Sequence, residues 1–169
     1  MFDPLDSVVL GVDPGLASSG LAVLAREGSR ARVVWSDTVR TAAGLAEAAR
    51  LRVLHEAVGE AIRANRVGAM AVERVMWGRN VGSAMSVARA TGVVLLAAAQ
   101  AGVPVEEYAP LEVKMAVTGI GNAPKETLRR ALARMHGLEG VPAEPNAADA
   151  VAVAFCHLQQ SRLRRAVQA

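Results

Sequence analysis

Three apolar segments of this chain each carry one carboxylate at an edge. Val8-Val9-Leu10-Gly11-Val12 runs into Asp13, and Ala69-Met70-Ala71-Val72 runs into Glu73. Asp149 stands at the head of Ala150-Val151-Ala152-Val153-Ala154. A carboxylate among apolar neighbours is costly unless an opposite charge compensates it. One shared divalent cation would compensate all three. The pattern therefore favours a fold that brings two strand ends and one helix start together. Each residue also has an ordinary reading. Asp13-Pro14-Gly15 is good turn chemistry, and Asp149 can serve the first turn of a helix. Glu73 is harder to dismiss, because its neighbour Arg74 would point to the other side of a strand.

The chain has 169 residues, enough to bury a core in one domain. We expect that domain to span residues 1–169, with about 160–169 as a basic tail carrying Arg162, Arg164 and Arg165. Hydrophobic content of 52% with 21% charged residues excludes a disordered chain. Aromatics are only 3%, so Val, Leu and Ala must build the interior. A net charge of +3 permits a polyanionic partner without demanding one. The single cysteine, Cys156, excludes an internal disulfide and fits a reducing, cytoplasmic setting. Met1-Phe2-Asp3-Pro4-Leu5-Asp6 lacks the positive start of a signal peptide. The apolar run Val93–Ala99 is too short to span a bilayer, so no membrane role is expected.

Val8–Val12, Gly20–Ala25 and Arg32–Ser36 read as three strands in an antiparallel meander. Leu51, Leu54, Val58 and Ile62 recur at helical spacing within Gly44–Asn65. Gly68–Val72 is a fourth strand, and Val103–Tyr108 a fifth. Between them Asn80–Ala101 reads as a helix apolar nearly all round, which predicts burial on several sides. Short helices are predicted near Pro110–Val117 and Pro124–His136, with Pro124 as the first helical residue. A last helix starts near Asn146, which reads as its cap or as an oxygen ligand beside Asp149. The expected architecture is α/β, a mixed five-stranded sheet with helices on both faces.

Oxygen ligands of this kind suit Mg²⁺ or Mn²⁺. Two such ions per active site can hold the attacking and leaving oxygens of a phosphoryl displacement. His55, His136 and His157 are scattered and form no zinc cluster. Gly119-Ile120-Gly121 leads into a helix start where Lys125 and Arg129, four apart, make a basic side. That side is either a phosphate contact or a solvated face. Met76-Trp77 follows Glu73 and is either a wedge between stacked bases or core.

These motifs together resemble the RuvC family of Holliday-junction resolvases. Gly11-Val12-Asp13-Pro14-Gly15 is similar to the family's first strand end, and Ala71-Val72-Glu73 to its second. Asn146-Ala147-Ala148-Asp149-Ala150 is similar to its last-helix segment, with an amide where the family usually has a first acid. Lys114 and Lys125, the only two lysines, fall at positions resembling the family's DNA-backbone contacts. The family's wedge is usually aromatic; Met76 stands there and Trp77 follows it. The resemblance implies a ribonuclease-H-like fold and a metal-dependent endodeoxyribonuclease of recombination and repair. It implies Asp13, Glu73 and Asp149 as catalytic metal ligands, with Asn146 beside them. Lys114, Lys125, Arg129, Met76 and Trp77 would meet DNA. The implied partners are four-way junction DNA, a second copy of the chain, and the RuvAB branch-migration complex. An actin-like kinase lobe also opens on an Asp-x-Gly loop, but such proteins need two lobes.

Overall fold

Strand periodicity decides which side chains can meet in this molecule. A computed structural model describes residues 8–76 and 81–168, with side chains as far as Ser161. In chain order the elements are β1 (Val8–Asp13), β2 (Ser18–Glu27), β3 (Arg30–Arg40) and α1 (Glu47–Asn65). Then come β4 (Ala69–Glu73), α2 (Val81–Ala101) and β5 (Val105–Tyr108). Helices α3 (Pro110–Thr118), α4 (Lys125–Arg134) and α5 (Pro145–Gln168) follow. The strands lie in the order β3-β2-β1-β4-β5. The β1–β2 and β2–β3 pairs are antiparallel, and the β1–β4 and β4–β5 pairs are parallel.

Central β1 is buried from Val9 to Val12, as expected for a strand covered on both faces. Successive side chains alternate between those faces. Val9 and Ala71 join a core built with α3, α4 and α5. Leu10, Val12, Met70 and Val72 join a second core built with α1 and α2. Carrying the period forward puts Gly11, Asp13 and Glu73 on the α5 side.

Helix α5 lies unusually close to the sheet, because two strand positions have no side chain. A Cβ added at Gly11 would collide with the Ala150 carbonyl oxygen and stand 2.8 Å from the Ala154 methyl carbon. One added at Gly20 would collide with the carbonyl of Asn146. Small residues on both partners thus set α5 against β1 and β2.

The architecture is the expected one, and several local expectations are corrected. Strands β2 and β3 run longer than their hydrophobic kernels, because the hairpin partners satisfy each other's backbone out to Glu27 and Arg30. Pro124 is extended (φ −62°, ψ 154°), so it caps α4 from outside. Helix α2 is not buried on several sides. Ala90, Val94, Ala97 and Ala98 face inward, while Val81 (59%), Met85 (46%) and Leu96 (50%) remain exposed. It packs through one side into the core shared by α1 and the sheet, and its other side is left uncovered. By length and composition α2 could also cross a membrane, the one such helix among the described residues. Expectations for Met1–Asp6, for Trp77, and for the side chains of Arg162, Arg164 and Arg165 lie outside the described residues.

Candidate active site

Asp13 and Glu73 are neighbours by construction. Strands β1 and β4 are parallel and Val12 is in register with Val72, so both strands end in a carboxylate at the same sheet edge. The chain leaving Asp13 is fixed by buried Ser19, whose hydroxyl accepts from the Gly15 N–H (3.0 Å) and donates to the Gly15 carbonyl. The chain leaving Glu73 is tied to β5. There the Arg74 N–H donates to the Tyr108 carbonyl (2.8 Å) and the Arg74 guanidinium to that of Glu107 (3.3 Å).

Asp149 comes from the first turns of α5. The cap of that helix is Glu144, which corrects the reading of Asn146 as the cap. The Glu144 carboxylate accepts from the Ala147 N–H (2.8 Å), from the Thr38 hydroxyl, and from Arg40 (3.1 Å). Asn146 lies one residue inside the helix start. Its amide nitrogen donates to the Ser18 hydroxyl (2.7 Å) and to Glu144 (3.2 Å). The start of α5 is thereby bound to β2 and β3.

The electrostatics follow from this crowding. Burial pushes the Asp13 carboxyl up to about 8, helped by the charge and hydrogen bond of Glu73 and the charge of Asp149, and opposed by Lys125. Burial also raises Glu73, with Asp149 adding to the rise. The Asp13 hydrogen bond, Lys125 and Lys114 pull Glu73 the other way. Burial and mutual repulsion thus favour a proton held between the two hydrogen-bonded carboxyls. Repelling, partly buried carboxylate oxygens are the donor set that a hard divalent cation neutralises.

Three acidic or histidine side chains do not converge on one ion-sized point among the described residues. The Asp149 carboxylate instead carries the ammonium of Lys125. A cavity of about 600 Å³ opens over Asp13 and Glu73, lined also by Arg74, Met76, Ser83 and Pro110.

The remaining expected contacts spread around this mouth. Lys114, on α3, is close enough to act on Glu73. Met76 is 61% exposed on the cavity wall. Arg129 is ion-paired to Glu126 (3.0 Å) and is not brought to the carboxylates. The scattered histidines are structural in part. His136 meets the Val117 carbonyl (2.7 Å), and His157 the hydroxyl of buried Tyr108 (2.9 Å). Sequence reasoning missed Glu144, Ser18 and Ser19. The only signal for Glu144 was an acid directly before Pro145, and a helix often begins at such a proline.

The family model for the crossover junction endodeoxyribonuclease RuvC matches residues 9–157. A RuvC of Moorella thermoacetica is 42% identical over 150 residues, covering 89% of this chain and 90% of its own. A RuvC of Rubrobacter xylanophilus is 42% identical over 159 residues, covering 94% and 89%. The T. thermophilus RuvC solved in complex with a Holliday junction substrate superposes with a TM-score of 0.85 at 36% identity, covering 93% of this chain and 96% of that one. The yeast mitochondrial Holliday junction resolvase Ydc2 shares the fold alone, with a TM-score of 0.69 at 9% identity over 96% of this chain and 83% of that one. In sequence and in fold, this chain belongs to the RuvC family of crossover junction endodeoxyribonucleases.

Proposed function

We propose that this chain resolves four-way DNA junctions by paired symmetric nicks, hydrolysing phosphodiester bonds in recombination and repair. The observation that carries the reading is the placement of Asp13 and Glu73 at neighbouring parallel strand ends beside the start of α5. Two carboxylates on adjacent strand ends, with a third on α5 close enough to raise both, cannot all ionise without a cation. Asp13, Glu73 and Asp149 would hold Mg²⁺ or Mn²⁺, two per site. Asn146 would add a neutral oxygen, its amide nitrogen being committed to Ser18 and Glu144. Bound there, divalent ions supply the charge that activates water and stabilises the leaving oxygen. The protein's part is rigidity. Strand ends and a capped helix start hold the oxygens in place without reorganisation.

Lys114 and Lys125, whose charges act on Glu73, would hold a phosphate beside the carboxylates, and Arg129 would reach the backbone farther out. Met76, with Trp77, would insert at the branch point. Paired nicks need two equivalent sites, which a two-fold homodimer supplies. The exposed α2 face with Val81, Met85 and Leu96 is the surface we assign to that contact. Residues 1–169 would form one nuclease domain with a basic tail from about 160, working in the cytoplasm. RuvAB is the partner that family membership implies. A synthetic mobile junction incubated with Mg²⁺ or Mn²⁺ tests the reading. Symmetric nicks in strands of like polarity are expected, and binding without any cutting would refute it.

A further inference from the structure

We propose that Lys125 is a resident counter-ion of the carboxylate cluster, and that leaving it for a DNA phosphate couples DNA binding to metal binding. This rests on the metal reading given above. The ammonium of Lys125 lies on the Asp149 carboxylate. Asp149 is 15% exposed at its side chain and Lys125 is 73% exposed, so the acid is fixed and the base can swing. Lys125 also acts electrostatically on Asp13 and Glu73, so its one positive charge serves the whole cluster. It is the first residue of α4 and follows a loop that turns at Gly119 (φ 73°). By contrast the basic neighbours Arg129 and Arg130 are already paired to Glu126.

One carboxylate cannot give its full charge to an ammonium and to a divalent ion together. In the DNA-free protein Lys125 therefore competes with the metal. A phosphate at the mouth offers the ammonium another anion, and its departure frees Asp149. Metal bound first likewise frees Lys125 for phosphate. Linkage makes the two effects equal in size. Lys125 thus makes a DNA-free nuclease a poorer metal binder and a DNA-bound one a better binder.

The test measures Mn²⁺ affinity of the DNA-free protein by electron paramagnetic resonance of unbound Mn²⁺. Lys125→Gln should bind Mn²⁺ roughly 1.5- to 5-fold more tightly than wild type, the range expected for losing a partly exposed ion pair. A Lys125 acting only as a phosphate contact predicts no change. Unchanged or weaker affinity in Lys125→Gln overturns the proposal. If neither protein binds Mn²⁺, the metal reading itself falls and takes this inference with it. A second measurement needs no variant. Titrating wild type with Mg²⁺ should shift the Lys125 side-chain ammonium resonance from its ion-paired to its free position. A resonance that stays put while metal binds also overturns the proposal.

Discussion

The two faces of the sheet are made by the same strands and do different work. On the α5 face, packing uses glycine and alanine, and the helix comes within backbone contact of β1 and β2. On the α1–α2 face, packing uses Leu10, Val12, Met70, Val72 and Val94, and no such approach occurs. The α5 face carries all three carboxylates. The other face leaves an apolar stripe of α2 in solvent. Close packing positions charge, whereas looser packing leaves surface for association. Alternation along β1 and β4 alone separates the two roles.

The comparison breaks most visibly at the carboxylates. Asp13→Asn, Glu73→Gln and Asp149→Asn should each lower junction nicking by at least about 10³-fold while a gel shift still shows binding. Substantial cutting by Asp13→Asn would remove the α5 face from the chemistry. The next effect is on folding. Gly11→Ala must push α5 off the sheet and should cost about 2–3 kcal/mol or more in urea denaturation. Gly59→Ala, in α1 on the opposite side, meets only the flexible end of Arg63 at 3.4 Å. It should stabilise by about 0.5–1 kcal/mol. Equal effects at the two glycines would mean the faces do not differ. Leu96→Glu on the α2 stripe should weaken dimerisation by about 2 kcal/mol in sedimentation equilibrium, with the metal site untouched. An unchanged dimer would place the contact elsewhere.

A smaller test sharpens the electrostatic side. Unfolded, Asp13 ionises in the ordinary aspartate range; folded, it holds its proton to about 8. The folded state therefore binds the extra proton between those values, and metal-free stability should fall as pH rises through that window. Asp13→Asn should flatten the slope in thermal melts at pH 5 to 8. Metal must displace the same proton, so Mn²⁺ affinity should rise with pH by up to about tenfold per unit until about pH 8. A flat affinity profile would mean that Asp13 is already ionised.

Much of this arrangement could be read from the residues. Short continuous apolar runs ending at Asp13 and Glu73 located both strand ends, and their parallel pairing follows from the hairpin strands and helix α1 between them. The α5 segment was visible as an alanine-rich run behind Asp149. What could not be read depends on partners distant in sequence. Glu144 caps α5 while being held by Thr38 and Arg40 of β3, and no local pattern announces that. Lys125 resembled a free phosphate ligand until the fold set it on Asp149. The extent of α2's exposure was also hidden. An apolar helix looks the same in sequence whether its second side meets the core, a partner copy or water.

The glycine contact between β1 and α5 also constrains how the molecule is made. Gly11 emerges early from the ribosome, and its cover, Ala150 and Ala154, emerges much later. Until then β1 and β4 can pair only over an open flank, and Asp13 and Glu73 face water, where neither feels its neighbours' full repulsion. Contacts this distant along the chain form late, because the intervening loop must close first. The charged cluster is therefore sealed near the end of folding. A nascent chain halted before α5 should keep ordinary carboxylates and a sticky sheet face, an aggregation-prone intermediate of the kind that chaperones protect.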